Sequence, residues 1–126
     1  MLKAPAMDRA HHDKELDIMT MTSDYASTEP AREEIDDLSG PTLLEFGAPW
    51  CGYCMAAQPL LSSAFASHEG VRHIKVEDGR GRRLGRSFGI KLWPSLIFLD
   101  NGKEVARLVR PTSAEAIAQA FAQIDH

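Results

Sequence analysis

Apolar positions along the chain fall into short continuous runs, separated by stretches where they recur every three or four residues. "PTLLEF" (41–46) is a run bounded by Pro41 and Gly47 and predicts a buried strand. "VRHIKV" (71–76) and "SLIFL" (95–99) predict two more, the second apolar on both faces and therefore central. "DNGK" (100–103) is a hairpin signal, with "EVARLV" (104–109) as the partner strand. "LDIMTMT" (16–22) alternates imperfectly and predicts a first strand. Helical patterns lie between the runs. "EPAREEIDDLSG" (29–40) carries Pro30 in its first turn, acids at its front and Gly40 at its end. From Cys51 to Ser67, Ala57, Leu60, Leu61, Ala64 and Phe65 share one helical face, with Pro59 expected to kink the helix. "RGRRLGRSFG" (80–89) allows at most a short helix. "TSAEAIAQAFAQI" (112–124) predicts a terminal helix opened by a capping box from Thr112 to Glu115. Strands alternating with helices predict an α/β fold, a central mixed sheet with helices on both faces.

At 126 residues the chain suffices for one domain with a single core. Residues 1–14 show no periodicity and are expected to be a disordered tail, with 15–126 the single domain. No apolar run approaches membrane-spanning length, so no membrane partner is expected. "MLKAPAMDRAHHDKELD" lacks the basic, apolar and small-residue order of a secretory signal, which leads to a cytoplasmic expectation. A net charge of −4 does not suggest nucleic acid as a partner. Charge is uneven, however. Arg72, Lys75, Arg80, Arg82, Arg83, Arg86 and Lys91 stand against only Glu77 and Asp78, which is either a solvated face or a patch that steers acidic partners.

The only two cysteines lie in "WCGYC", Trp50 to Cys54. One reading is zinc, because Cys51, Cys54, His68 and His73 formally meet a zinc-finger spacing. The predicted elements oppose it. The helix lies between the cysteines and His68, and a rise of about 1.5 Å per residue carries His68 roughly 20 Å from Cys54. The other reading is dithiol redox chemistry. A Cys-x-x-Cys at a strand end and helix start sets the first sulfur beside unpaired backbone N–H groups, which favour thiolate. Cys51 is then the nucleophile and Cys54 the resolving thiol, close enough to close a disulfide. Trp50 and Tyr53 are expected to shape a groove and shield the second sulfur.

Glu45 interrupts an otherwise apolar strand, where a carboxylate is costly unless paired or protonated. It is expected beneath Cys54, taking and returning that thiol's proton as an acid/base, with Lys75 as its ion-pair partner. Pro94, in "KLWPSLIF", stands at the entry of a buried strand, where either a cis or a trans bond fits. A cis bond there would expose the Trp93 backbone to pair with a substrate strand.

From about Leu16 to the C-terminus the chain resembles thioredoxin. The order of elements agrees, as do "FGAPWCGYC", Pro59, Lys75, "FGI", "WPS" and "NGKE". The resemblance implies the thioredoxin fold and reduction of protein disulfides through a reversible Cys51–Cys54 disulfide. It makes Cys51 the attacking thiol, Cys54 the resolving thiol, Glu45 the buried acid and Pro94 the cis-proline. No bound cofactor is implied. Electrons are expected from NADPH through a thioredoxin reductase, with disulfide-containing proteins as substrates and a monomer as the working state.

The chain also departs from the pattern. Gly52-Tyr53 stands where thioredoxins usually carry Gly-Pro, and "CGYC" is similar to disulfide isomerases. Glu45 is one methylene longer than the usual Asp, and Trp93 replaces a smaller residue. Arg110-Pro111 stands where a small glycine is usual. The expected substrate groove comprises Trp50, Gly52, Tyr53, Trp93, Pro94 and Arg110. A more oxidising oxidase or isomerase, and a non-enzymatic binding module, are the alternatives.

Overall fold

The computed structural model describes residues 21–126. Its elements are α1 (Arg32–Asp36), β1 (Pro41–Gly47), α2 (Gly52–Phe65), β2 (Arg72–Glu77), α3 (Arg83–Ser87), β3 (Ser95–Asp100), β4 (Lys103–Val109) and α4 (Ala114–Ala122). The expected tail and most of the expected first strand lie outside the described residues. Next to them, Tyr25 forms an isolated parallel bridge with Lys75.

The strands pair in the order β2-β1-β3-β4. β1 runs parallel to β2 and antiparallel to β3, and β3 runs antiparallel to β4. The continuous apolar runs occupy the centre, as their composition requires. The β3–β4 turn places Asn101 at φ 52° and Gly102 at φ 80°, the left-handed pair that a tight hairpin demands. Gly102 also lies directly against the Asp36 backbone, which leaves no room for a side chain.

Two apolar layers cover the sheet. On one face Leu43, Leu96 and Phe98 meet Leu61 and Phe65 of α2 and Ile117 and Phe121 of α4. On the other, Leu44, Phe46, Val76, Ile97 and Leu99 meet Ile35 of α1 and Leu84 and Phe88 of α3. α2 continues through Pro59, and its length and burial follow the predicted face.

Two helices differ from expectation. α1 begins only at Arg32, because Glu29 is drawn away to accept the Leu84 N–H at 2.9 Å and Ala31 stays extended. α4 is capped by Ser113, not Thr112. The Ser113 hydroxyl accepts the Ala116 N–H at 3.1 Å, so the helix starts one residue later than the capping box implied. Among the described residues, no helix is long and apolar enough to cross a membrane.

Candidate active site

β1 ends at Gly47 and α2 begins at Gly52, so the cysteines stand where the central sheet hands over to the 14-residue helix α2. Cys51 is the N-cap of α2. It holds extended backbone angles, and its sulfur accepts the Cys54 N–H at 3.2 Å. This is the ordinary duty of a cap, done by sulfur in place of a hydroxyl. One of the helix's unpaired donors therefore points at the atom that carries negative charge when the thiol ionises. Both cysteines are free, with 6% and 2% of their surface exposed.

The two sulfurs are not equivalent. Cys54 packs with Ala48 and Cys51, and Trp93 lies against that group. Burial, then the hydrogen bond with Cys51, push the Cys54 thiol from 9.0 up to about 12. A backbone contact from Ala48 opposes the shift, while the charges of Cys51 and Glu45 add to it. Gly47 makes this packing possible, since a side-chain carbon on it would come within 2.6 Å of Cys54 Sγ and 3.2 Å of the Tyr25 hydroxyl.

Beneath the motif, Glu45 has no exposed surface. Its two oxygens are both used. Oε1 faces His73 Nε2 at 2.8 Å, and Oε2 accepts from Gln58 Nε2 at 3.0 Å. The Thr22 N–H donates to His73 Nδ1 at 3.0 Å. The ring proton of neutral His73 therefore sits on Nε2 and is donated to Glu45. Gln58 also donates to the Cys54 carbonyl at 3.0 Å, which ties the carboxylate to the helix turn that holds Cys54.

The expected direct pairing of Glu45 with Lys75 does not form. The two are register neighbours on β1 and β2, but Gln58 of α2 comes between their side chains. Lys75 Nζ donates to Gln58 Oε1 at 3.3 Å and lies 4.7 Å from the centre of the Tyr25 ring. A residue spaced two from Lys75 on the same strand, His73, takes the place assigned to it. The residues of the zinc spacing are not gathered into one group either. His73 is bound to Glu45, and His68 Nδ1 lies 2.7 Å from Asp125. Among the described residues, no group of three or more His, Cys, Asp or Glu could hold a metal ion.

A recess of about 290 Å³ reaches this cluster from outside, lined by Ser23, Tyr25, Ala48, Pro49, Cys54, Met55, Gln58 and Lys75. Across the motif, Trp50 is 72% and Tyr53 60% exposed. The Tyr53 ring lies under the Arg110 guanidinium, 3.9 Å away. A side-chain carbon added at Gly52 would meet nothing within 4 Å, so the start of α2 is uncrowded there. The Trp93–Pro94 bond is cis. Trp93 meets Trp50 edge-on at 5.5 Å, and its Nε1 donates to Asp78 Oδ2 at 2.9 Å. Sequence reasoning passed over Gln58 and Asp78, and weighed His73 only as a metal ligand. The signal for His73 was its even spacing from Lys75, which puts both on the Glu45 face of the sheet.

Two outcomes follow from this geometry. His73→Leu leaves the Glu45 carboxylate short of a donor in the core and should cost about 3 kcal/mol in urea unfolding. The double change Glu45→Leu with His73→Leu should recover much of that loss; additive losses would contradict the pairing. The Cys54 proton is held more tightly folded than unfolded. The associated stability is complete below about pH 9, the ordinary thiol value, and is lost as pH rises through about 12. Unfolding midpoints of the reduced protein should therefore fall over this window, and Cys54→Ser should flatten the fall. An unchanged slope in the variant would refute the assignment.

The thioredoxin family model matches residues 23–123. Thioredoxin 2 from Pseudomonas aeruginosa PAO1, solved in its reduced form, is 57% identical with a TM-score of 0.73, covering 82% of this chain and 95% of that one. Thioredoxin 1 from Nostoc sp. is 27% identical over 89 residues, 70% of this chain and 83% of that protein. Protein disulfide-isomerase erp38 from Neurospora crassa is 40% identical over 68 residues, 51% of this chain but only 18% of that protein. Fold, motif and relatives agree: the chain belongs to the thioredoxin family and is a thiol–disulfide oxidoreductase with the thioredoxin fold.

Proposed function

We propose that the protein works in the reducing direction, passing two electrons from the Cys51–Cys54 dithiol to disulfides of other proteins. The direction rests on the likeness to thioredoxins, which spans most of both chains, and the exchange chemistry rests on the asymmetry of the sulfurs. Cys51 caps α2 with a backbone donor on its sulfur, while Cys54 is buried as a thiol pushed up to about 12. The Cys51 thiolate attacks one sulfur of the target disulfide, forming a mixed disulfide and releasing the other sulfur as a thiolate. Cys54 then gives up its proton and attacks Cys51 Sγ. The Cys51–Cys54 disulfide forms, and the second substrate sulfur leaves and is protonated.

Cys54 needs a proton acceptor in that step. Glu45 serves as the buried base, felt electrostatically at Cys54 and tied to its helix turn by Gln58. Lys75 supports it at one remove, holding the Gln58 amide in the orientation that donates to Glu45. The recess beside Tyr25 and Lys75 gives the proton a way out. Trp50, Gly52, Tyr53, Trp93, Pro94 and Arg110 form the face on which the substrate segment lies.

The dithiol is restored by an NADPH-dependent thioredoxin reductase, and no bound cofactor takes part. The protein acts as a monomer in the cytoplasm, in keeping with electrons drawn from NADPH. An isomerase reading rests on Tyr53 and on the partial likeness to disulfide isomerases around the motif. The sulfur asymmetry serves either direction, so the reduction potential separates the two.

Cys51→Ser should abolish reduction of insulin disulfides. Cys54→Ser should instead stall with substrate covalently attached, visible by mass spectrometry and released by dithiothreitol. Full activity in Cys51→Ser would refute the mechanism, as would trapping through Cys54 in that variant.

A further inference from the structure

Arg110 holds a conformation that its side chain does not favour. It follows β4 with φ 49°, in the left-handed region where glycine sits without strain. Its backbone N–H donates to the Pro94 carbonyl at 3.0 Å, which fixes the residue against the Trp93–Pro94 loop. The side chain is held twice more. Nε donates to the Trp93 carbonyl at 2.8 Å, and the guanidinium carbon stands 3.9 Å over the centre of the Tyr53 ring.

These contacts use one face and one of the five N–H donors. Among the described residues, the Nη groups have no hydrogen-bond partner, and no carboxylate lies within ion-pair distance of Arg110. The guanidinium borders a recess of about 540 Å³ lined by Tyr53, Ala56, Ala57, Leu60, Pro111 and Thr112, none of them charged. It thus forms a positioned, unneutralised fork between an apolar hollow and the carbonyl of Trp93. The Nη edge matches a carboxylate in shape and charge, and a polypeptide supplies carboxylates through Asp and Glu.

We propose that Arg110 is a specificity residue that receives an Asp or Glu carboxylate beside the target disulfide, while neighbouring apolar side chains of the same segment enter the Tyr53–Leu60 recess. This rests on the reading of the site as a protein-disulfide reductase. The preference comes from charge complementarity, so it weakens with salt.

The test uses two synthetic peptides that carry the same disulfide and differ at one flanking position, Glu or Gln. Single-turnover rates with the reduced full chain, at low and at 0.5 M salt, give a Glu/Gln ratio of second-order rate constants. A partly exposed bidentate contact should make that ratio about five to ten at low salt and near one at high salt. In Arg110→Gln the ratio should fall to about one, and Arg110→Lys should keep part of it. Damage to the loop alone would slow both peptides together and leave the ratio unchanged. A wild-type ratio near one at low salt would overturn the proposal, as would a ratio that survives in Arg110→Gln. Should that variant not fold, a wild-type ratio insensitive to salt overturns it instead. Reduction of neither peptide by wild type would count against the reductase reading itself.

Discussion

A carboxylate with no exposed surface must be satisfied from within the protein, and Glu45 imposes that demand at the centre of the sheet. Its two oxygens require donors from two directions. β2 supplies one through His73, and α2 supplies the other through Gln58. Gln58 has two further obligations, to the Cys54 carbonyl and to Lys75. Strand register, the seat of α2 and the depth of the second cysteine are thereby tied to one buried charge. A helix shifted by one residue would break several of these bonds together.

That arrangement sets the difference between the sulfurs. Cys51 sits where a helix offers donors without carbonyls to match them. Cys54 sits three residues further, inside the protein, where burial and nearby negative charge keep its proton in place. The proposed exchange uses this separation: one sulfur attacks, while the other is held back until a mixed disulfide has formed. The outer face is assembled from other parts of the chain. Trp50 and Tyr53 come with the motif, Trp93 is oriented by Asp78, and Arg110 arrives from the end of β4.

β1 to β4 and the hairpin were legible because each rests on local chemistry. β1 and β3 are short apolar runs with clear ends, and Asn101-Gly102 suits left-handed angles that few other pairs tolerate. The cysteine motif was legible from its place between a strand and a helix. The extent of α1 was not, since it depends on Glu29 bonding to Leu84, far along the chain. The partner of Glu45 was misjudged for a similar reason. The sequence shows that His73, Lys75 and Glu45 share a face only once the parallel register is known. It does not show that a helix glutamine will stand between two of them. Arg110 was recognisable as an unusual residue near the groove, but not as one already clasping Trp93 and Tyr53.

The reducing direction is tested most directly by the equilibrium potential of the Cys51–Cys54 pair, read by mass spectrometry after alkylation in buffers of defined thiol–disulfide ratio. The account predicts a value near about −270 mV, at which the dithiol donates electrons to ordinary protein disulfides. A value near about −180 mV would contradict it. The roughly 90 mV difference is about a thousandfold in the exchange equilibrium, enough to make the protein a donor of disulfides instead.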